Sequence, residues 1–432
     1  MLQIRTIRPF LAWVLLTILA APVAAAERAS VAAATTSALP LATPESQGMS
    51  RVRLDRMHAE MRRFVDEGLR SGVVTLVARN GRVVDLYSYG KRDLEASLPM
   101  QTDTIFRIYS MSKIVTSVAA LTLLEEARFR LEDPVGDYLP ELARMKVMTG
   151  GSAEKPLLAD AQKPITIKDL FTHSSGLIYG FGNAPIDKLY KDAKVEESAS
   201  LAELVTRVSR LPLAHEPGTR FSYGLSTDVL GALVEKVSGR TLGEFCEERI
   251  FRPLRMTDTG FSVPEAKRAR IATIYEKGKD RKLTPAKLLF AVRPEPGPKL
   301  EAGGAGLFST VSDYARFMQM LLGEGQLEGT RVLSRKTVEL MMANHLGHME
   351  RKTIEFDDYE GFGLGGAVLI DLARGNQPGS LGEFGWSGAA TTRARLDPQE
   401  KLVTLVFTQH FPHNEHGLFW RFSTLVYAAI AD

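Results

Sequence analysis

The stretch that decides the fold of this chain is FRIYSMSKIVTSVAALTLLEEA, residues 106–127. It opens with Ser110 and Lys113, a Ser-x-x-Lys pattern, and continues as an apolar run typical of a buried helix. Because residues three apart share a helix face, the hydroxyl and the amine are expected to be neighbours. A serine nucleophile needs a base held against it, and a partly desolvated amine can be that base. The N–H groups at a helix N-terminus would also stabilise an oxyanion.

The Ser-x-x-Lys pattern alone is weak evidence, because serine and lysine are common residues. A second match, Ser152 to Lys155, follows Gly150-Gly151 and precedes Pro156 without an apolar run, which favours a solvated loop. For the first match, an ordinary helix start with a surface lysine is an equally good interpretation. Other stretches of the chain have to decide between the two.

Length and composition narrow the class of protein. The 432 residues are too many for one small core and suit two lobes or one large α/β domain. A net charge of +3 is too small to indicate nucleic acid or an anionic membrane surface as a partner. The single cysteine, Cys246, excludes an internal disulfide and is expected to be a buried small apolar residue.

The amino terminus has the pattern of a secretory signal. Arg5 and Arg8 precede an apolar run at 10–21, which Pro22 ends, and residues 24–26 form an A-x-A cleavage site. The run is shorter than the ~20 residues that span a bilayer, so a stable membrane anchor is not expected. We therefore expect residues 1–26 to be a signal peptide and the protein to be exported, periplasmic or secreted.

Strand signals cluster towards both ends of the chain. After an Ala/Ser/Thr/Pro-rich lead-in at 27–45, the β-branched runs 72–79 and 82–89 flank Asn80-Gly81, the strongest two-residue hairpin signal. Near the carboxyl end, three further strands are predicted at 359–371, 387–396 and 401–408. Together these runs predict one antiparallel sheet built from both ends of the chain.

The middle of the chain has few strand signals between about 140 and 300. We therefore predict an α+β fold, an antiparallel sheet flanked by helices with a mostly helical second lobe. The sheet lobe would take about 46–140 plus 300–432, and the helical lobe about 141–299, within one domain at 46–432.

Six stretches, in this order, resemble the serine β-lactamase, penicillin-binding protein and esterase superfamily over about residues 41–430. Within it the chain is most similar to class C β-lactamases and to the family VIII carboxylesterases that share their fold. The stretches are FRIYSMSK, LEDPVGDYLPEL, ITIKDLFTHSSGL (165–177), HEPGTRFSYGLSTDVLGALVEKVSG (215–239), GGAGLFSTVSDYARF and FGWSGAATTRARLDPQ (384–399). The resemblance implies the β-lactamase/transpeptidase-like fold and supports Ser110 as a nucleophile.

The resemblance places Tyr223 opposite the nucleophile. A phenol has a pKa near ~10, and a neighbouring ammonium would favour its phenolate form. Lys113 and Tyr223 are therefore a plausible coupled base that takes the Ser110 proton and returns it to the leaving group. The alternative for Tyr223 is a buried tyrosine that packs against a helix.

The segment Trp386-Ser387-Gly388 aligns with the substrate-binding strand of the family and is expected to contact the substrate. Glycine there lets a substrate approach the strand closely. The resemblance implies an oxyanion hole formed by the N–H groups of Ser110 and Ala389.

Two departures from the family pattern concern the substrate. The family usually has lysine, which faces a substrate carboxylate, where this chain has Trp386, an apolar aromatic wall. The β-lactamase motif Tyr-x-Asn reads Tyr223-Gly224-Leu225, and Leu225 offers no hydrogen bond. Both changes favour uncharged esters over β-lactams.

Two patterns compete with this assignment. The run Gly385–Ala389 almost matches Gly-x-Ser-x-Gly, the nucleophile elbow, with Ser387 in its centre, but a strand rather than a helix is predicted to follow. His410, His413 and His416 have a conceivable metal spacing, although a polar loop is the stronger interpretation. His173 is expected to have a structural role.

The sequence thus predicts an exported serine hydrolase that cleaves small carboxylic esters through an acyl-enzyme on Ser110. The resemblance implies no metal or organic cofactor. The alternatives are a class C-like β-lactamase, a D-amino-acid peptidase or an acyltransferase with the same machinery. A catalytically silent relative that binds peptidoglycan is a further alternative. The oligomeric state stays open.

Overall fold

A computed structural model describes residues 38–432 except 279, 289–291, 298, 348 and 350–358. The predicted signal peptide and the first part of the lead-in lie outside the described residues. Among those that are described, no helix has the length and apolar character needed to cross a membrane.

Eleven α-helices are described. They are α1 (Arg51–Asp66), α2 (Ser112–Glu125), α3 (Ile167–Phe171), α4 (Pro185–Ala193), α5 (Leu201–Val208), α6 (Ser226–Ser238), α7 (Leu242–Cys246), α8 (Val311–Leu322), α9 (Arg335–Met342), α10 (Leu372–Gly375) and α11 (Leu418–Tyr427).

Seventeen strands are described in the same part of the chain. They are β1 (Gly72–Arg79), β2 (Arg82–Asp93), β3 (Leu98–Pro99), β4 (Phe106–Arg107), β5 (Lys146–Gly151), β6 (Pro156–Asp160), β7 (Tyr275–Lys277), β8 (Leu283–Pro285), β9 (Phe308–Ser309), β10 (Gln326–Leu327), β11 (Thr330–Arg331), β12 (Glu360–Phe362), β13 (Ala367–Leu369), β14 (Phe384–Gly388), β15 (Thr392–Asp397), β16 (Leu402–Phe407) and β17 (His410–Phe411).

The main sheet has eight strands in the order β12-β13-β14-β15-β16-β1-β2-β3, with antiparallel neighbours. Strand β1, from the amino-terminal part, pairs with β16, so that Val74 lies opposite Phe407. Asn80 and Gly81 both have positive φ in the turn between β1 and β2, as a tight hairpin requires. The prediction of one antiparallel sheet from both ends of the chain is confirmed.

Helices cover both faces of the sheet. On one face, α1 and α11 bury an apolar cluster that includes Met57, Phe64 and Phe422. On the other face, α8 packs on β1, β15 and β16, while α2 packs against α6. Every residue of α2 from Ser112 to Leu123 is buried. This helix is therefore buried inside the molecule, as its apolar composition predicts.

Two strand predictions near the carboxyl end need correction. The single strand predicted over 359–371 is two strands, β12 and β13, because residues 363–366 form the reversal between them. The strand predicted over 387–396 begins inside β14 and ends inside β15, with a turn at 389–391. Glycine and alanine at these reversals gave no clear turn pattern, so hydrophobicity alone merged adjacent strands.

The middle of the chain also differs from expectation. The sequence has few strand signals there, yet residues 146–160 form the hairpin β5–β6, with Ser152 and Lys155 exposed in the turn between its strands. Residues 38–45, assigned by composition to the flexible lead-in, lie against the sheet, where the N–H of Ala42 donates to the carbonyl of Val83. Leu39 is buried in the core there while Leu41 is exposed, and two leucines in a stretch rich in alanine and proline are a weak signal for a buried position.

His410 predicts a loss of stability in acid. Its side chain is buried, Nε2 lies 2.9 Å from Glu415 Oε2, and Nδ1 has no hydrogen-bond partner among the described residues. Burial and the Arg70 charge lower the pKa of His410 from 6.5 to about 4. Because the unfolded state binds this proton more tightly, the free energy of unfolding should fall as pH drops from 6.5 to about 4, by up to roughly 3 kcal/mol.

Urea unfolding across this pH range measures the effect. The variant His410→Gln keeps a polar side chain that does not titrate, so its stability should decline less steeply than that of the wild type. Equal slopes for the two proteins would contradict the prediction.

Candidate active site

Ser110 lies in a 3₁₀ turn, Tyr109–Met111, immediately before α2 rather than inside the helix. Tyr109 has φ of +41°, in the left-handed region that non-glycine residues disfavour. The carbonyl of Met111 accepts a hydrogen bond from Tyr314 Oη at 2.8 Å, and the N–H of Ile108 donates to Leu307 at 3.1 Å. The turn that presents Ser110 is thus held by α8 and by the segment around residue 307.

Lys113 reaches from the first turn of α2 to three acceptors. Its fully buried Nζ lies 3.3 Å from Ser110 Oγ, 3.0 Å from Tyr179 Oη and 2.8 Å from the carbonyl oxygen of Gly304. Each of the three neighbours has an oxygen that can accept a hydrogen bond from the amine, so together they fix its position. The surface-lysine interpretation is wrong, because burial and these contacts fix the amine beside Ser110.

Tyr223 lies on the other side of the amine, just before α6. Lys113 Nζ is 4.6 Å from the centroid of the Tyr223 ring. The Tyr223 hydroxyl accepts a hydrogen bond from Trp386 Nε1 at 3.0 Å. The structure therefore brings together four residues that are up to 276 positions apart, Ser110, Lys113, Tyr223 and Trp386.

The ring of His173 packs against the ring of Tyr223. It is fully buried, its ring centroid lies 4.8 Å from that of Tyr223, and its Nδ1 accepts from the N–H of Gly224. Burial, and then the charge of Lys113, hold the pKa of His173 well below its usual value of 6.5. A neutral imidazole that packs and accepts a hydrogen bond fits the expected structural role.

Sequence reasoning missed Tyr179. Its hydroxyl accepts the Lys113 hydrogen bond, and its ring lies 5.6 Å from that of Tyr223. Burial, followed by the charge of Asp228 and by Tyr223, raises the pKa of Tyr179 well above 10, so it stays a neutral phenol. Tyr179 follows the family stretch that ends at residue 177, and no spacing rule links it to Ser110.

Tyr179→Phe should lower kcat/KM for ester hydrolysis by about tenfold. The change removes one acceptor of Lys113 and keeps the ring, and a hydrogen bond to a charged group is worth about 1.5–3 kcal/mol. The pH dependence of kcat/KM, measured beside the melting temperature, separates a change in proton transfer from a loss of folding. A wild-type rate and pH profile in this variant would show that the phenol is only a packing group.

Strand β14 lies directly against the turn that contains Ser110. A Cβ placed on Gly388 would be 2.3 Å from the carbonyl oxygen of Ile108, so only glycine permits this approach. Ala389 follows at once, and its N–H belongs to the segment in contact with the turn of Ser110. The oxyanion hole formed by the N–H groups of Ser110 and Ala389 stays a prediction.

Ser387 faces away from this cluster. Its Oγ lies 3.1 Å from His413 Nε2, and it pairs across the sheet with Arg393. The strand that contains it turns into β15 and not into a helix, so the nucleophile-elbow geometry is absent around this serine. His410 and His416 both approach Glu415 Oε2, at 2.9 and 3.7 Å, whereas His413 contacts Ser387. Among the described residues, no group of three or more His, Cys, Asp or Glu side chains has the arrangement of a metal site.

Aromatic rings form the wall around the amine. Trp386 is buried, and its ring lies 5.6 Å from Tyr223 and 5.3 Å from Phe362. Leu225 is also buried and lines a cavity that begins at Tyr179. Trp386 therefore places an indole where the family pattern has the ammonium group of lysine. Leu225 places an apolar side chain where the pattern has the amide of asparagine.

Comparison with protein families agrees with this geometry. A family model described as Beta-lactamase matches residues 57–428. Protein Rv1367c of Mycobacterium tuberculosis is 38% identical over 371 residues, which cover 84% of this chain and 91% of that protein. Esterase EstB of Burkholderia gladioli is 31% identical over 349 residues, 75% of this chain and 83% of EstB.

Solved structures of the same architecture include two enzymes. EstCE1, a hydrolase with promiscuous acyltransferase activity, matches with a TM-score of 0.74 and 28% identity over 87% of this chain and 98% of its own. Simvastatin synthase LovD from Aspergillus terreus matches with a TM-score of 0.73 and 26% identity, with the same coverage.

Proposed function

The chain belongs to the β-lactamase family, and we propose that it is a serine carboxylesterase that acts through an acyl-enzyme on Ser110. Its similar family members include esterases and acyltransferases. The observation that carries the proposal is the contact of Lys113 Nζ with Ser110 Oγ inside a wall of aromatic rings.

In the proposed mechanism, the phenol oxygen of Tyr223 and the amine of Lys113 form one proton-transfer unit. Trp386 Nε1 donates a hydrogen bond to that oxygen, and Lys113 Nζ lies 4.6 Å from the centroid of the same ring. As Ser110 Oγ attacks the ester carbonyl, its proton passes to this unit, and the carbonyl oxygen becomes an oxyanion held by backbone N–H groups.

The tetrahedral intermediate then collapses. The bond to the alcohol oxygen breaks, and the same unit returns the proton to that oxygen, so an alcohol leaves and an acyl-enzyme remains. Water attacks the acyl carbonyl, gives its proton to the unit, and releases the acid and the free serine.

Substrate choice follows from the wall of the site. A β-lactam or a peptidoglycan stem peptide presents a carboxylate, which needs a cation or a hydrogen-bond donor. The Trp386 ring offers an apolar surface, and its N–H already donates to Tyr223. This supports uncharged esters as substrates.

The purified protein should be tested on short-chain nitrophenyl esters and on a chromogenic cephalosporin, with Ser110→Ala as the control. We expect kcat/KM for the ester to exceed that for the cephalosporin, and both activities to depend on Ser110. Faster cephalosporin turnover would overturn the argument from Trp386 and Leu225. Absence of turnover and of labelling by a fluorophosphonate would favour the silent binder.

Acyl transfer to an alcohol is the second candidate. It is supported by the similarity to EstCE1 and LovD and by the chemistry, since an alcohol can replace water in the second half-reaction. Adding a primary alcohol to the ester assay and measuring the ratio of new ester to free acid decides between the two acceptors.

We also propose export of the protein, which is supported by the signal pattern at residues 1–26. Amino-terminal sequencing of the full chain expressed in a bacterial host should find a start after Ala26 and the protein outside the cytoplasm. An intact amino terminus on cytoplasmic protein would contradict the proposal.

A further inference from the structure

A cavity of about 580 Å³ lies next to the catalytic cluster. Tyr179 forms part of its wall and accepts a hydrogen bond from Lys113, the amine that also contacts Ser110. Ala305 and Gly306 line the cavity too, directly after the carbonyl of Gly304 that binds the same amine. The cavity therefore shares its boundary with the groups around the nucleophile.

The inner walls of this cavity are apolar. They include Leu204, Leu225, Phe261, Leu300 and Ala305. Leu225 stands where the β-lactamase motif has its amide-binding asparagine, so the one family side chain that would make this wall polar is absent. Such a surface favours burial of hydrocarbon and offers little to a hydrogen-bonding group.

The polar groups at the inner end are already engaged. Asp228 accepts a hydrogen bond from the N–H of Gly304 at 2.9 Å, and Tyr179 accepts the one from Lys113. Burial raises the pKa of Asp228, a shift that the Lys113 charge opposes. A ligand in this cavity therefore does not need to bring a charged partner for either residue.

The outer rim has charges of both signs. Glu196 and Glu197 lie on one segment, and Arg293 and Lys299 lie on another. Lys299 Nζ donates to the carbonyl oxygens of Arg293 and Glu295 and so is held by the protein itself. With two acidic and two basic side chains, the rim does not select a ligand of either charge.

We propose that this cavity binds a bulky, uncharged, apolar group of the ester. The proposal rests on the esterase function and specifies its substrate class. A volume of about 580 Å³ is within the range of ~300–1,000 Å³ that holds a whole drug-sized ligand, far more than an acetyl group needs. The group belongs either to the acid or to the alcohol, and both sources share this chemistry.

Two substrate series separate the sources. In one, nitrophenol is constant and the acyl group grows from acetyl to octanoyl and to a cyclic acyl group. In the other, acetyl is constant and the alcohol grows from methyl to naphthyl. We expect kcat/KM to rise with size in one series, and that series identifies the group in the cavity. A flat or falling profile in both series would overturn the proposal.

A variant that fills the cavity supplies the decisive comparison. Ala302 lines the cavity and is partly exposed, so Ala302→Phe adds a ring there without changing the core. It should lower kcat/KM for the bulkiest preferred ester at least about tenfold relative to its effect on the smallest ester, mainly through KM. The matched control is Ala428→Phe at the exposed residue that follows α11, which should leave both values unchanged.

An equal effect of Ala302→Phe on small and bulky esters would overturn the cavity assignment, while Ser110-dependent hydrolysis would leave the esterase function standing. Absence of Ser110-dependent hydrolysis of any ester would instead overturn the proposed function. Leu300→Ala enlarges the same cavity and should shift the preference towards larger esters. If this variant shifted it towards smaller ones, the assignment would also fail.

Discussion

Ser110→Ala is expected to lower kcat/KM for ester hydrolysis by at least about a thousandfold. The variant removes the only atom that forms the covalent intermediate, while the N–H groups of its turn stay in place. Because Ser110 is only partly buried and makes its side-chain contact to Lys113, the loss of one hydroxyl should leave the melting temperature nearly unchanged. Initial rates with a nitrophenyl ester, and the mass after reaction with a fluorophosphonate, measure the effect.

The matched control is Ser152→Ala. Ser152 starts the other Ser-x-x-Lys match and is exposed in the turn between β5 and β6. Its replacement should change neither the rate nor the labelling. The assignment of the nucleophile would be wrong if Ser387→Ala, and not Ser110→Ala, abolished the covalent label, since Ser387 has its own histidine contact.

Lys113→Met is expected to lower kcat/KM by about 10²–10⁴, the usual contribution of a positioned acid–base group. Methionine fills a similar volume, but it cannot donate to Ser110, Tyr179 or the carbonyl of Gly304. The carbonyl would then be buried without this partner, so a lower melting temperature should accompany the lost activity. Rates measured well below the melting temperature isolate the chemical effect.

Lys236→Met is the control for this substitution. Lys236 is exposed on α6, and replacing it should change neither activity nor stability measurably. A Lys113→Met enzyme that retained more than about a tenth of the wild-type kcat/KM would exclude Lys113 from the proton-transfer unit. Tyr223 would then be the sole candidate base.

Local sequence features predicted the main elements because their signals are local in origin. The Asn80-Gly81 turn specifies a hairpin through its own backbone preferences. The apolar run of α2 predicted a buried helix, and the structure buries it on all sides.

Boundaries were less predictable wherever strand and turn have similar composition. The reversal between β12 and β13 consists of Gly363, Leu364, Gly365 and Gly366. The turn after β14 contains Ala389 and Ala390. The first contains the pair Gly365-Gly366, but Phe362 pairs with Ala367, so the reversal takes four residues and not two; the second contains no such pair. The register of these strands depends on pairing across the sheet, which a single segment does not encode.

The residues of the candidate site also differ in how well the sequence predicted them. Ser110 and Lys113 are neighbours because the 3₁₀ turn that contains Ser110 continues directly into α2, and the spacing of three residues predicted this contact from the sequence. The residues Tyr223 and Trp386 were reached only through resemblance to a family, because no rule of spacing links segments more than a hundred residues apart. Tyr179 had neither kind of signal and was missed.

By itself, the sequence determined the nucleophile helix, the hairpin and the chemical identity of each side chain, because helix periodicity and turn preferences act over a few residues. Only the tertiary structure decided that Lys113 is buried among three acceptors, that Tyr179 is one of them, and that Leu225 opens onto a large cavity. Burial and long-range contacts arise when distant segments pack together. The environment that turns a lysine into a base partner is therefore a property of the folded chain.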